Sequence, residues 1–418
     1  MRKLIFAALY CMVICTASAQ DAQRIQRIDQ FIQQYINKGK LNGATALILK
    51  NGKPVYYKSF GFANKEKGIA MRNDHIFRIA SMTKPIVSVA AMILFEEGKF
   101  LLDDPVSKFI PQFKNAQVLS SFNESDTTYT TVTAKSEITI RQLLNHTSGI
   151  GYAQIGTPYQ TAIYYKYGIN GGIGTAHSTL KEKITALAGL PLFQQPGENF
   201  MYGLNTDVLG YLVEVISGMP LDKYLQQNIF EPLGMKDTYF YLPKEKQNRL
   251  VPLYMQDKNN RLRIQDSIIN LNGIFVRDFP LNPNGSYFSG GAGLSSTAYD
   301  YALFGQMLLN AGTLNGKRIL APGTIRMMAS NQINDLMMWG DKNYTRRFGL
   351  GFGILSAYAE RSFNIPEGSF GWDGMFASHF WADPQNNMVV VIMRNIWPTE
   401  DWGFGDRIKP VIYQAFGK

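Results

Sequence analysis

The chain has 418 residues, 45% of them hydrophobic, which is ample for a large buried core. Its formal net charge is +10, yet the basic residues are scattered, with no Lys/Arg run and no aromatic-interleaved basic stripe. That pattern argues against a nucleic-acid partner and fits a mildly basic surface. Both cysteines, Cys11 and Cys15, lie at the very start, so a chain processed beyond them has no disulfide and no thiol nucleophile.

The first residues, "MRKLIFAALYCMVICTASAQ", have the layout of a secretory signal: Arg2 and Lys3, an apolar run from Leu4, then "ASA" before Gln20. Residues 1–19 are expected to be removed, leaving 20–418 as a secreted or periplasmic protein of a bacterial envelope. A transmembrane anchor is the competing reading, but the apolar run is short and ends in small residues. Ile14 is too bulky to precede a lipoprotein cysteine. No later stretch reaches the ~18 apolar residues that span a bilayer, so no stable anchor is expected after cleavage.

Next, "QRIQRIDQFIQQYINKG" sets Ile25, Ile28, Phe31, Ile32, Tyr35 and Ile36 on one helical face. "GATALILKNGKPVYYKSFGFAN" reads as two strands joined at Asn51-Gly52, a strong hairpin signal. The stretch "SMTKPIVSVAAMILFEEGKF" is a buried helix, and "NAQVLSSFNESDTTYTTVTAKSE" (115–137) is a polar surface excursion. After a mostly helical middle, "SHFWADPQNNMVVVIMRN" repeats the hairpin pattern with a turn at Asp383–Asn387, and "DRIKPVIYQAFGK" closes on a helix. The simplest architecture is α+β: one antiparallel sheet from both chain ends, flanked by terminal helices, with a helical region inserted. The sheet subdomain is expected at about 20–85 and 295–418, the helical one at about 86–294.

Several chemistries can be set aside. The four histidines, His75, His146, His177 and His379, show no zinc spacing, so neither a metal nor a cofactor is expected. No G-x-S-x-G and no P-loop occurs. His146, in "LLNHTSGI", reads as structural rather than as part of a triad.

The pattern S-x-x-K occurs twice, at Ser81–Lys84 and Ser178–Lys181. Near the start of a helix, positions 81 and 84 share a face, so hydroxyl and amine can meet. Pro85 is tolerated in a first turn. The helix dipole and lost hydration are expected to disfavour the Lys84 ammonium, leaving a proton-accepting amine. Ser178–Lys181 opens a charged helix, "KEKITAL", and reads as a solvated face.

"SMTKPIVSVAAMILFEEGKFLLDDPVSKFIPQF" resembles the S-x-x-K helix of the β-lactamase-related serine hydrolases. That superfamily holds class C β-lactamases, penicillin-binding DD-peptidases and esterases. Further matches follow in order: "ITIRQLLNHTSGI", "QQPGENFMYGLNTDVLGYLVEVISGMPLDKYLQQNIFEPLGM", "GGAGLSSTAYDYALFGQMLLN" and "FGWDGMFASHFWADPQNNMVVVIM". The resemblance spans essentially the whole mature chain and implies the β-lactamase/transpeptidase-like fold. It implies Ser81 as acylated nucleophile, Lys84 as its proton partner and Tyr202 as the tyrosine of Y-x-N. It also implies an oxyanion hole from the N–H groups of Ser81 and Met375, with Gly374 letting substrate lie against the strand.

Two departures from the family pattern matter. Leu204 stands where the Y-x-N asparagine would, leaving Asn205 or Asp207 to replace it. Trp372-Asp373-Gly374 stands where lactamases and peptidases carry K-T-G or H-x-G. An indole in place of that cation suits an uncharged acyl or alcohol group, and Asp373 would repel a carboxylate. Trp372 could also be a plain core residue at a strand edge. The favoured reading is therefore a hydrolase of small or medium acyl esters acting through an acyl-enzyme. Its partner is a small-molecule ester, amide or peptide. The rival is a D-amino-acid peptidase or β-lactamase that draws a cation from Arg346, Arg347 or Arg394. A non-catalytic binding protein of the same fold is the alternative from another class.

Overall fold

Asn51 and Gly52 take φ of 52° and 74°, the left-handed pair that a two-residue hairpin turn needs. They join strand β1 (Gly43–Lys50) to β2 (Lys53–Asn64), and β3 (Ile69–Ala70) follows at the edge. From the other chain end come β4 (Arg346–Phe348), β5 (Gly353–Leu355), β6 (Phe370–Asp373), β7 (His379–Asp383) and β8 (Met388–Met393). The order across the sheet is β4-β5-β6-β7-β8-β1-β2-β3. All neighbours are antiparallel, and the two chain ends meet where Thr45 faces Met393 and Lys50 faces Met388. This computed structural model describes residues 22–169, 171, 173, 178–259, 261–270, 274–399, 401 and 403–417; the leader-like residues 1–19 and His177 lie outside them.

The strand period of two divides the apolar residues between two cores. Leu47, Leu49, Val389, Val391 and Met393 join a core with helices α2 (Thr83–Glu96), α3 (Asn205–Ser217) and α4 (Ala298–Leu309). Ala44, Ala46, Ile48, Met388, Val390 and Ile392 face the other way, toward α1 (22–37) and α5 (Phe404–Phe416). Both central strands are thus covered on both faces, which explains their unbroken apolar sequences. The result is the α+β, β-lactamase/transpeptidase-like architecture expected from the sequence.

Helix α2 is buried nearly all round, as a helix apolar on every face must be. It starts at Thr83, two residues later than the sequence suggests. Ser81 sits instead in the preceding 3-10 turn, Ala80–Met82. Tyr301 donates to the Met82 carbonyl at 2.7 Å, and Leu294 N–H donates to Thr83 Oγ1 at 3.1 Å, fixing that turn from behind. The 115–137 excursion is a hairpin of Gln117–Phe122 with Tyr129–Thr133, docked through Leu119 N–H on Leu192 O. Among the described residues no helix is long and apolar enough to cross a membrane.

Helix α4 reaches the sheet at Gly305, where a Cβ would lie 2.6 Å from the Phe380 ring and 2.8 Å from Val389. Gly305→Ala gains about 1 kcal/mol of helix propensity. It must nevertheless push a helix off a packed sheet, at about 1–3 kcal/mol. Chemical denaturation is expected to show net destabilisation. A stabilised variant would mean that α4 does not rest on the sheet this closely.

Candidate active site

Lys84 is 1% exposed, in the first turn of α2. Its Nζ lies 3.2 Å from Ser81 Oγ, 3.0 Å from Tyr152 OH and 2.7 Å from the Gly291 carbonyl oxygen. An ammonium has three N–H donors, and here each has an acceptor. Burial pulls the lysine pKa down, but the phenols of Tyr152 and Tyr202 outweigh it and hold Lys84 above its ordinary value. This corrects the sequence expectation of a neutral amine: desolvation is present, and the acceptors around the nitrogen overcome it. Burial also holds the Tyr152 phenol protonated, against the pull of Lys84.

Tyr202 closes the far side, with Lys84 Nζ 4.6 Å from its ring centroid. The loop carrying it presses on residue 150, since a Cβ at Gly203 would fall 1.9 Å from the Ile150 carbonyl oxygen. Behind Tyr202 lies His146, ring centroids 4.7 Å apart, its Nδ1 accepting from Asn205 Nδ2 at 2.9 Å. Burial, then the Lys84 charge, keeps this imidazole neutral, in keeping with a structural residue. In front, Trp372 Nε1–H donates to the Tyr202 oxygen at 3.1 Å.

Ser81 is partly exposed and opens on a cleft of about 370 Å³. The walls are largely apolar, from Ile155, Ile173, Trp339, Trp372, Met375 and Trp397. Among the described residues that line the cleft, the charged ones are Arg346 and Asp373, which pair at 3.4 Å. Asp373 also accepts from His379 Nδ1 at 2.9 Å, and His379 Nε2 lies 2.9 Å from Arg394. Because arginine can only donate, Nε2 accepts and Nδ1 carries the proton. Burial would raise the Asp373 pKa, but His379 and Arg346 hold it well below the usual carboxylate range. The repulsion expected of Asp373 is thus largely offset by Arg346.

Gly374 ends β6 against the turn that bears Ser81. A Cβ there would lie 2.2 Å from Ser378 Oγ and 2.5 Å from the Ile79 carbonyl oxygen. That approach sets Met375 beside Ser81 at the cleft. No described protein group accepts the backbone N–H of either residue.

Ser81, Lys84, Tyr202, Trp372, Asp373, Gly374 and Met375 therefore converge on one cleft. Trp372 is only 6% exposed, so it is both a core residue and a cleft wall. Asn205 and Asp207 are placed elsewhere, because the first turn of α3 faces inward. The Asn205 amide is fully buried and committed to His146 and to the Ile150 and Met201 carbonyls. Asp207 lies behind Gly291, accepting from Ser289 Oγ at 2.7 Å, and burial pushes its carboxyl pKa up. Arg347 stacks on Tyr344, and Arg394 is buried against Phe404; neither lines the cleft. Ser178 donates to Glu182 ahead of the capping box of the helix Leu180–Ala188 and does not pair with Lys181. No described residue of 115–137 lines the cleft.

The sequence did not single out Tyr152, the Gly291 carbonyl, Trp339 or Trp397. Tyr152 stands two residues beyond the "HTSGI" run, a position that could have drawn notice. Trp339 belongs to an irregular loop with no pattern to flag it.

Comparison with known proteins identifies the family. The family model described as Beta-lactamase matches residues 28–409. Esterase EstB of Burkholderia gladioli is 32% identical over 391 residues, covering 91% of this chain and 93% of EstB. The structure of EstCE1, described as a hydrolase with promiscuous acyltransferase activity, superimposes with a TM-score of 0.79 at 27% identity, covering 95% of this chain and 100% of EstCE1. Simvastatin synthase LovD of Aspergillus terreus shares the fold, with a TM-score of 0.77 at 23% identity over 94% of this chain and 99% of LovD. The chain belongs to the Beta-lactamase family and is an enzyme of its serine-hydrolase superfamily.

Proposed function

We propose that this enzyme hydrolyses uncharged carboxylic esters through an acyl-enzyme on Ser81. The observation that carries this reading is the cleft: aromatic and apolar beside the serine, its two charged residues paired with each other. The esterase name of a relative at 32% identity supports it.

In this scheme the Ser81 hydroxyl attacks the ester carbonyl, its proton passing to the Tyr202 oxygen as Tyr202 hands its own phenolic proton to the leaving alcohol oxygen. Lys84 stays charged and steadies the negative charge that passes through the serine and phenol oxygens. The Trp372 N–H, already donating to Tyr202, fixes where that phenol points. In the second half Tyr202 draws a proton from the attacking water as it returns one to Ser81 Oγ, which frees the acyl group. The N–H groups of Ser81 and Met375 receive the oxyanion. Asn205 and Asp207 act from behind, by holding His146 and the Gly291 segment. The signal-like residues 1–19 support export of the mature enzyme.

Arg346 in the cleft favours a peptidase or β-lactamase that grips a carboxylate. Asp373 beside it weakens that grip. A mere binding protein would have no use for a partly exposed hydroxyl bonded to a buried lysine.

Wild-type protein is expected to cleave p-nitrophenyl butyrate, with Ser81→Ala slowing turnover on the order of 10⁴-fold or more. Mass spectrometry of the quenched reaction should find the acyl group on the peptide containing Ser81. Equal rates for wild type and variant would end the catalytic reading. Faster turnover of a chromogenic cephalosporin or a D-alanyl-D-alanine peptide than of any ester would replace the esterase reading with its rival.

Trp372→Phe keeps an aromatic wall and removes the donor to Tyr202. Steady-state kinetics should show kcat lowered by about 10²-fold with KM little changed. An unaltered kcat would show that this N–H plays no part in the chemistry.

A further inference from the structure

Trp339 combines features that no catalytic role accounts for. It is 62% exposed, a large fraction for an indole within a folded chain. Its φ is 51°, in the left-handed region that a bulky side chain rarely takes, and Gly340 follows at 73°. One face of the indole is covered by Trp372, stacked at 5.9 Å and 22°. Its ring also meets Tyr202 and Phe200 in near-perpendicular contacts, with centroids 5.9 Å and 5.5 Å away. Trp339 lines the cleft with its other face uncovered by any described ring, and Ile155, 66% exposed, lines the same cleft.

Resting on the ester-hydrolase reading, we propose that the open face of Trp339 binds the alcohol portion of the substrate, and that this portion is flat and aromatic. Orientation follows from proton transfer. The group that protonates the leaving oxygen must stand beside it, and Trp339 is packed on that group, Tyr202. The alcohol portion therefore leaves the reaction centre along Trp339, while the acyl portion lies on the other side of the serine. A flat ring can continue the stack that Trp372 and Trp339 begin, with offset rings as aromatic pairs prefer. An aliphatic alcohol of a few carbons offers no flat face to continue that stack. The strained backbone at residue 339 is then the means by which the indole is presented to the cleft.

Acetate esters of different alcohols isolate this step, because all pass through the same acetyl-enzyme and differ only in how it forms. The test compares naphthyl acetate with ethyl acetate for wild type, Trp339→Gly and Trp339→Phe. Glycine suits the left-handed backbone, so loss of the ring is not confounded by misfolding. Trp339→Gly should lower kcat/KM for naphthyl acetate roughly 10- to 100-fold more than it lowers kcat/KM for ethyl acetate. Trp339→Phe should restore part of the loss. The deacylation rate, read from the acetyl-enzyme after a burst, should be the same in all three.

Equal losses on both esters would make Trp339 a support for Tyr202 and overturn the proposal. No loss on either would do the same, as would a loss that tracks acyl-chain length in a p-nitrophenyl series. Should wild type cleave neither acetate nor any other ester, the ester-hydrolase reading itself fails. That outcome is distinct from wild-type activity that is indifferent to Trp339.

Discussion

A charged lysine without water is the constraint around which this site is built. Removing an ammonium from solvent costs several kcal/mol unless each of its donors finds an acceptor. For Lys84 the acceptors come from three separate stretches: the Ser81 hydroxyl, the Tyr152 phenol and the Gly291 carbonyl. The last requires bare backbone. A Cβ at Gly291 would lie 2.4 Å from Asp207 Oδ2 and 3.2 Å from the Tyr152 hydroxyl. Bringing that carbonyl to Lys84 thus fixes a glycine at 291, with Asp207 filling the space behind it.

The charge on Lys84 assigns the remaining roles. In the proposed mechanism a lysine that keeps its proton takes none from Ser81, which leaves the proton relay to a phenol oxygen. The two phenols differ in setting: Tyr152 is buried and stays protonated, while Tyr202 is partly exposed at the cleft. Trp372 then serves two needs with one side chain. Its N–H meets the Tyr202 oxygen, and its ring walls the cleft, lying so close to β5 that a Cβ at Gly353 would come within 2.9 Å of it. A lysine at 372 would supply neither the flat wall nor a neutral donor, and would add a cation near one already buried.

Much of this was legible in the sequence because it is local. Asn51-Gly52 declares a hairpin, alternating apolar residues declare two buried faces, and Ser81 and Lys84 are one helical turn apart. Ser81, Tyr202, Trp372, Gly374 and Met375 sit in stretches that resemble a known family. What escaped depends on distant parts of the chain meeting. The protonation of Lys84 was misjudged because its acceptors at 152 and 291 cannot be inferred from residues 77–105. The partners of Asp373, Arg346 and His379, come from two other strands, β4 and β7, so the sequence shows only its bare charge. Asn205 and Asp207 follow Tyr202 closely in sequence, yet the first turn of α3 points them into the interior.

The same dependence on distant packing shows in the backbone strain around the site. Ala80, His146 and Ala377 have φ of 44°, 59° and 68°, each costing on the order of 1 kcal/mol for a residue with a Cβ. Away from the cleft, such turns go mostly to asparagine, as at Asn51, Asn364 and Asn387, where the local side chain eases them. Ala80, His146 and Ala377 occupy places that matter here. Ala80 precedes Ser81, Ala377 lies in the turn after Gly374, and His146 backs Tyr202. All three are at most 2% exposed, so their side chains are held by the core rather than by the turn itself. The largely buried helix α2 and the doubly covered sheet therefore do more than stabilise the fold. They hold the strained backbone beside Ser81, Met375 and Tyr202, which would relax if left to local preference.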